Sequence, residues 1–183
     1  MQKYKTILAD PPWPLEWGYR KRRPNSQKRA MPYPTMTLDE IQKLPIRGLA
    51  DDNCHLWLWT TNTHLKNGFE VMEAWGFKYL APIIRVKPSG CGNWFVHVTQ
   101  TLLMGYRGRL NFPAGAKYKK NLIFTTCPKR HSQKPSISFD FIESISSEPR
   151  IELFARNRRF GWDAWGNEVD SDIDLSVKGG RNG

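Results

Sequence analysis

An apolar run that is forced to stop at the tenth residue sets the frame for this chain. Thr6-Ile7-Leu8-Ala9 reads as a short buried strand. Asp10-Pro11-Pro12-Trp13 follows at once, and proline has no N–H to give to a sheet ladder, so the strand must end there. An acid is left at the strand's carboxyl end, where open α/β sheets gather their ligands. The alternative is that Asp-Pro-Pro is a surface turn and Trp13 a core aromatic.

The remaining pattern alternates between periods of two and 3.6. Thr37-Leu38-Asp39-Glu40 reads as a capping box, opening a helix that ends before Pro45. Asp51-Asp52-Asn53 reads as a turn, and 54–60 as a central strand with His55 packed structurally at its start. Over 63–75, Leu65, Phe69, Met72 and Trp75 keep helical spacing as a core stripe, with Gly76 as C-cap. Further strands are expected at 83–87, 101–106, 122–126 and 150–154. Pro135 suits the first turn of a helix whose inward positions are Ile137, Phe141 and Ile145. Strands alternating with helices argue for an α/β three-layer sandwich with a mostly parallel sheet. At 183 residues one domain is expected, over 1–168, with the acidic and then Gly-rich 169–183 a disordered tail.

Charge narrows the partner. Lys plus Arg number 28 against 17 Asp plus Glu, a net +11, which points to a polyanion, most simply nucleic acid. The irregular stretch 14–36 interleaves Arg20, Arg22 and Arg23 with Trp17, Tyr19 and Tyr33; charge for phosphates beside flat faces for bases suits a splayed strand. A second basic loop spans 107–120. Cys54, Cys91 and Cys127 lie far apart with no Cys-x-x-Cys pair, which argues against zinc and for free thiols in the cytoplasm. No apolar run approaches the ~20 residues of a membrane span. No Gly-x-Gly-x-x-Gly supports a nicotinamide or flavin site.

The tetrad suits one reaction in particular. An exocyclic amine on a nucleobase is a poor nucleophile, because its lone pair is delocalised into the ring. Two acceptors holding its two hydrogens localise that pair. Asp10 offers a carboxylate and Pro11 a carbonyl, Pro12 shapes the turn, and Trp13 offers a stacking face.

The tetrad is joined in order by Tyr33-Pro34-Thr35-Met36, His131-Ser132-Gln133-Lys134-Pro135, Ile151-Glu152-Leu153-Phe154-Ala155-Arg156 and Trp165-Gly166-Asn167-Glu168. Together they resemble the MT-A family of adenine 6-amino methyltransferases, relatives of the catalytic subunit of the eukaryotic mRNA methyltransferase, from about Tyr4 to Glu168. The resemblance implies a class I, Rossmann-like methyltransferase fold in permuted, beta-class order, with 150–154 beside the strand that ends at Ala9. It implies S-adenosylmethionine as cofactor and nucleic acid as substrate; the shortness of the chain, rather than the resemblance, tilts the polymer to DNA over RNA. Asp10, Pro11, Pro12 and Trp13 would be catalytic. Asp10, His131, Lys134, Arg156, Asn157, Asn167 and Glu168 would border the cofactor, Lys134 pairing with its carboxylate. Arg20, Arg22, Arg23, Tyr33, Lys87 and Gln100 would meet the substrate. The chain departs from the family pattern at Arg85, where relatives carry an aromatic, at Gln100, where they carry a glutamate, and at Ser136, where they carry an acid. Rival readings are a non-catalytic nucleic-acid-binding partner subunit and an RNA adenosine methyltransferase. A homo- or hetero-oligomer is compatible with either.

Overall fold

A computed structural model describes residues 2–14, 34–91, 94–114, 116, 119–124 and 136–175. Its strands are β1 (Tyr4–Ala9), β2 (Ala50–Thr60), β3 (Lys78–Cys91), β4 (His97–Arg107), β5 (Leu122–Phe124), β6 (Arg150–Leu153) and β7 (Asp163–Trp165). They form one sheet in the order β5-β3-β4-β2-β1-β6-β7. β1 is parallel to β2 and β6, β7 to β6, and β5 to β3. β4 alone runs against its neighbours β2 and β3. The expected meeting of distant segments is present, with Ala9 opposite Leu153.

Period-two alternation divides the core in two. Ile7 and Ala9 of β1, Leu56 and Leu58 of β2 and Leu103 of β4 face one side. Leu8, Trp57, Trp59, Leu102, Met104 and Ile83 face the other. The first side is covered by α1 (Leu38–Gln42), α2 (Ile46–Leu49) and α3 (Leu65–Ala74), through Ile41, Ile46, Leu49, Val71 and Met72. The second is covered by α4 (Ser136–Glu143), through Phe139 and Ile142. Helices on both faces of a mostly parallel sheet make the three-layer sandwich. Ile7, Leu56, Trp57 and Leu58 are wholly buried, which is why β1 and β2 read as near-continuous apolar runs.

The capping box is present: Glu40 N–H donates to Thr37 Oγ1, and the Glu40 carboxylate accepts from the Thr37 backbone N–H. Other expectations are corrected by packing. Residues 51–53 belong to β2 rather than to a turn. In α3 the inward row runs through Gly68, Val71 and Met72, while Phe69 is exposed and meets Tyr79 edge-on. A Cβ at position 68 would lie 2.9 Å from Leu103 Cδ1. Glycine therefore lets the helix close onto the sheet, and a residue 100° further round is turned outward. In α4 the inward residues are Ser138, Phe139 and Ile142, whereas Ile137 is exposed. Trp162, meeting Phe139 edge-on at 5.4 Å, supplies the partner that selects this face. Residues 169–175 are not a disordered tail. Asp172 accepts from Ala164 N–H and from Arg158, its own N–H donates to the Ala164 carbonyl, and Leu175 is buried in the core. No helix among the described residues is long and apolar enough to cross a membrane.

Candidate active site

Because β1, β2, β6 and β7 run in one direction, their carboxyl ends share one edge of the sheet. Asp10 leaves β1 at that edge, between the ends of β2 and β6, and is partly buried. The row containing Leu8 continues into Asp10, because successive residues of one parity share a face. By the same rule the row through Met104 and Leu102 reaches Gln100, and the row through Ile83 reaches Arg85 and then Lys87. The reversed direction of β4 brings Gln100 to the same edge as Asp10. The apolar face thus turns polar where the strands end.

The turn after Asp10 is held from three sides. Trp13 N–H donates to the Pro11 carbonyl at 2.8 Å, closing a tight turn around Pro12. The Pro12 carbonyl accepts from Met36 N–H at 2.9 Å. Trp13 Nε1–H donates to the Trp59 carbonyl near the end of β2 at 3.0 Å. The Trp13 ring stacks on His64 at 5.5 Å and 11°. His64 Nε2 lies 2.8 Å from the Pro14 carbonyl, which can only accept, so Nε2 carries the proton.

Two expectations change here. Trp13 is 8% exposed and belongs to the core cluster, with one face against His64. It is the core aromatic of the alternative reading rather than an open platform for a base, and it acts as the anchor of the turn. The Pro11 carbonyl already accepts from Trp13 N–H, and a carbonyl oxygen has two lone pairs. Its second lone pair is what it offers a ligand.

Across the edge, β6 leads through Phe154, at a positive φ of 62°, to Ala155, Arg156 and Asn157. β7 leads through Gly166 to Asn167 and Glu168. Ala155 N–H donates to the Trp165 carbonyl at 2.9 Å, tying the two ends together. Arg156 Nε lies 3.5 Å from Glu168 Oε1. Both side chains of that pair are solvent-accessible, so it orients more than it stabilises. Arg156, Asn157, Asn167 and Glu168 are thereby gathered on adjacent strand ends beside Asp10. A carboxylate able to accept from a sugar diol and two side-chain amides able to read a purine edge fit S-adenosylmethionine by donor type. Arg20, Arg22, Arg23, Tyr33, His131 and Lys134 lie outside the described residues.

Sequence reasoning marked Arg85 as a departure from the family pattern but gave it no role in this site. The residue is 3% exposed, and its Nη1 donates to Oε1 of Gln100, directly opposite on β4, at 2.8 Å. Burial pushes its pKa below the ordinary arginine range, and the negative charge of Asp10 pulls the other way. The available signal was a cation inside an apolar strand run, between Ile84 and Val86. His64 carried no comparable signal.

A mostly parallel sheet with helices on both faces, and a polar site at its carboxyl edge, make a Rossmann-like α/β architecture. The chain belongs to the MT-A70 family, which matches residues 4–168. It is 31% identical over 195 residues to the type II methyltransferase M.MunI of Mycoplasma sp, covering 97% of this chain and 83% of that one. It is 30% identical over 181 residues to the N(6)-adenosine-methyltransferase catalytic subunit METTL3 of Homo sapiens, covering 92% of this chain. A probable N(6)-adenosine-methyltransferase, MT-A70-like, of Oryza sativa is 29% identical over 180 residues. The chain spans only 28% and 23% of those last two relatives.

Proposed function

We propose that this protein transfers a methyl group from S-adenosylmethionine to the 6-amino group of adenine in nucleic acid, with DNA the favoured polymer. The observation that carries this reading is Asp10 and the Pro11 carbonyl leaving one strand end together, beside the residues gathered on β6 and β7. The carboxylate of Asp10 and the second lone pair of the Pro11 carbonyl accept the two amine hydrogens. The amine's lone pair is then turned out of conjugation and toward the electrophile. S-adenosylmethionine supplies a sulfonium methyl group as that electrophile. An N–C bond forms as an S–C bond breaks, and the nitrogen, now acidic, gives its proton to Asp10 or to water.

Arg156 and Asn157 would hold the ribose, Asn167 and Glu168 the adenine or ribose edge, and His131 with Lys134 the carboxylate of the cofactor. Lys87, Gln100 and the basic residues Arg20, Arg22 and Arg23 with Tyr33 would meet the substrate strand. In a duplex the adenine must leave the stack at a cost of a few kcal/mol, and phosphate contacts from basic loops offset it. The support for DNA is the 31% identity to the type II methyltransferase M.MunI, matched over 83% of its length.

The test is Asp10→Asn, offered labelled cofactor with matched DNA and RNA oligonucleotides, followed by mapping of the modified base. The expected result is roughly a hundred- to thousandfold loss of kcat, with cofactor binding by calorimetry largely retained. Undiminished methylation by this variant, or label on any atom other than the 6-amine, overturns the proposal. A sound protein that binds nucleic acid but no cofactor points to the partner-subunit reading instead.

A further inference from the structure

The Arg85–Gln100 pair sits on the Asp10 face of the sheet, at the same edge, and its chemistry restricts what it can present. A guanidinium carries five N–H donors and no acceptor. The Gln100 atom 2.8 Å from Arg85 Nη1 is therefore the amide oxygen. An amide on a partly exposed strand position is ordinarily free to turn over. Here a turned amide would set N–H against N–H. With its oxygen turned toward Arg85, a residue that is 3% exposed, the Gln100 amide presents its NH2 donors on the side away from that cation. Arg85 and Gln100 are directly opposite each other on β3 and β4, on the face and at the sheet edge that Asp10 shares, and the charge of Asp10 is felt at Arg85.

We propose that Arg85 is a positioning residue that locks the Gln100 amide with its N–H donors toward the target base, and that Gln100 reads the ring nitrogen beside the amine. This rests on the adenine methyltransferase reading above and specifies how its substrate is chosen. Adenine presents an amine next to N1, an acceptor. Two acceptors from Asp10 and Pro11, with one donor from Gln100, match that edge. Guanine presents a carbonyl oxygen next to an N–H, the reverse pattern, and meets acceptor against acceptor and donor against donor. Such mismatches leave buried polar groups unpaired, which is the strong form of discrimination. Cytosine presents an amine beside an acceptor as adenine does, so the pair selects this edge and the pocket's dimensions must select the purine. A glutamate at position 100 would form an ion pair with Arg85 and present acceptors only.

The experiment compares oligonucleotides carrying adenine or 1-deazaadenine at the target, where a C–H replaces N1. Wild type, Gln100→Ala, Arg85→Met and Arg85→Lys are each assayed for kcat/KM. Removing N1 should lower the wild-type value by about tenfold or more, the worth of one hydrogen bond in a site that leaves its donor unpaired. In Gln100→Ala the adenine rate falls, but removing N1 changes it little further; this non-additivity is the signature of a direct contact. Arg85→Met should weaken the N1 effect, because the amide is free to turn. Arg85→Lys, which keeps a donor on the amide oxygen, should restore it. A merely structural role for either residue would lower all rates and leave the N1 ratio unchanged. Where Gln100→Ala turns over too slowly to assay, oligonucleotide affinity in an Asp10→Asn background reads the same ratio. Equal N1 sensitivity in wild type and Gln100→Ala overturns this inference alone. A wild-type protein that methylates no adenine overturns the underlying reading, and this inference with it.

Discussion

Trp13 joins the candidate catalytic turn to the sheet through a single N–H. Trp13→Phe keeps a ring against His64 but removes the N–H that Trp13 donates to the buried Trp59 carbonyl. It should destabilise the fold by about 1–3 kcal/mol, measured by urea denaturation. It should also lower kcat more than cofactor affinity, since the turn that aims the Pro11 carbonyl is loosened. His55 makes a second residue-level case. Trp57 Nε1–H donates to Ser146 Oγ at 3.0 Å, and that hydroxyl lies 2.8 Å from His55 Nδ1. The hydroxyl proton can therefore go to a neutral imidazole. Burial pushes the His55 pKa below the ordinary histidine value of about 6.5. The unfolded chain then takes up a proton before the folded one does. The stability His55 contributes is complete above the ordinary value and is lost as pH falls below it. The urea midpoint should drop between about pH 7.5 and about pH 5.5, and His55→Gln should flatten that drop. An unchanged slope would remove His55 from the acid response.

Among elements, the junction of β6 and β7 carries the residues assigned to the cofactor, and Gly166 is where it is tightest. A Cβ there would collide with the Ala155 carbonyl oxygen and lie 2.7 Å from the Ala155 nitrogen. Backbone must move to admit it, which separates Arg156 from Glu168. Gly166→Ala should keep cooperative unfolding yet weaken S-adenosylmethionine binding by about tenfold or more, since displacements of about 1 Å in a binding constellation have costs of that order. Calorimetry that finds unchanged affinity would detach this junction from the cofactor. Six of the seven strands were legible, because apolar runs ended by proline or turn residues report local backbone geometry; the three-residue β7 was not. The inward faces of α3 and α4 were not. Gly68 against Leu103, and Phe139 against Trp162, are meetings between segments that the local period cannot announce.

For the molecule as a whole, a net charge of +11 predicts steep salt dependence. If six to ten phosphates are contacted, oligonucleotide affinity should fall by roughly a thousandfold or more between about 50 and about 200 mM salt, whereas cofactor affinity should stay nearly flat. Filter binding and calorimetry across that range decide the matter. Methylation that is indifferent to salt would favour a free nucleotide as substrate.

What the residues settled in order along the chain was local: a strand that must stop at Asp10, a capped helix at Thr37, and five family landmarks from which an adenine methyltransferase could be anticipated. What needed the tertiary structure was every choice of partner. Trp13 was drawn into the core by His64 and the Trp59 carbonyl. Residues 169–175 were folded in through Asp172 and Leu175. Arg85 was set opposite Gln100 and within the field of Asp10. Strand alternation is imposed by neighbouring bonds and can be read from a short window. Which strands lie side by side depends on burying two faces at once, and that is a property of residues far apart in the chain.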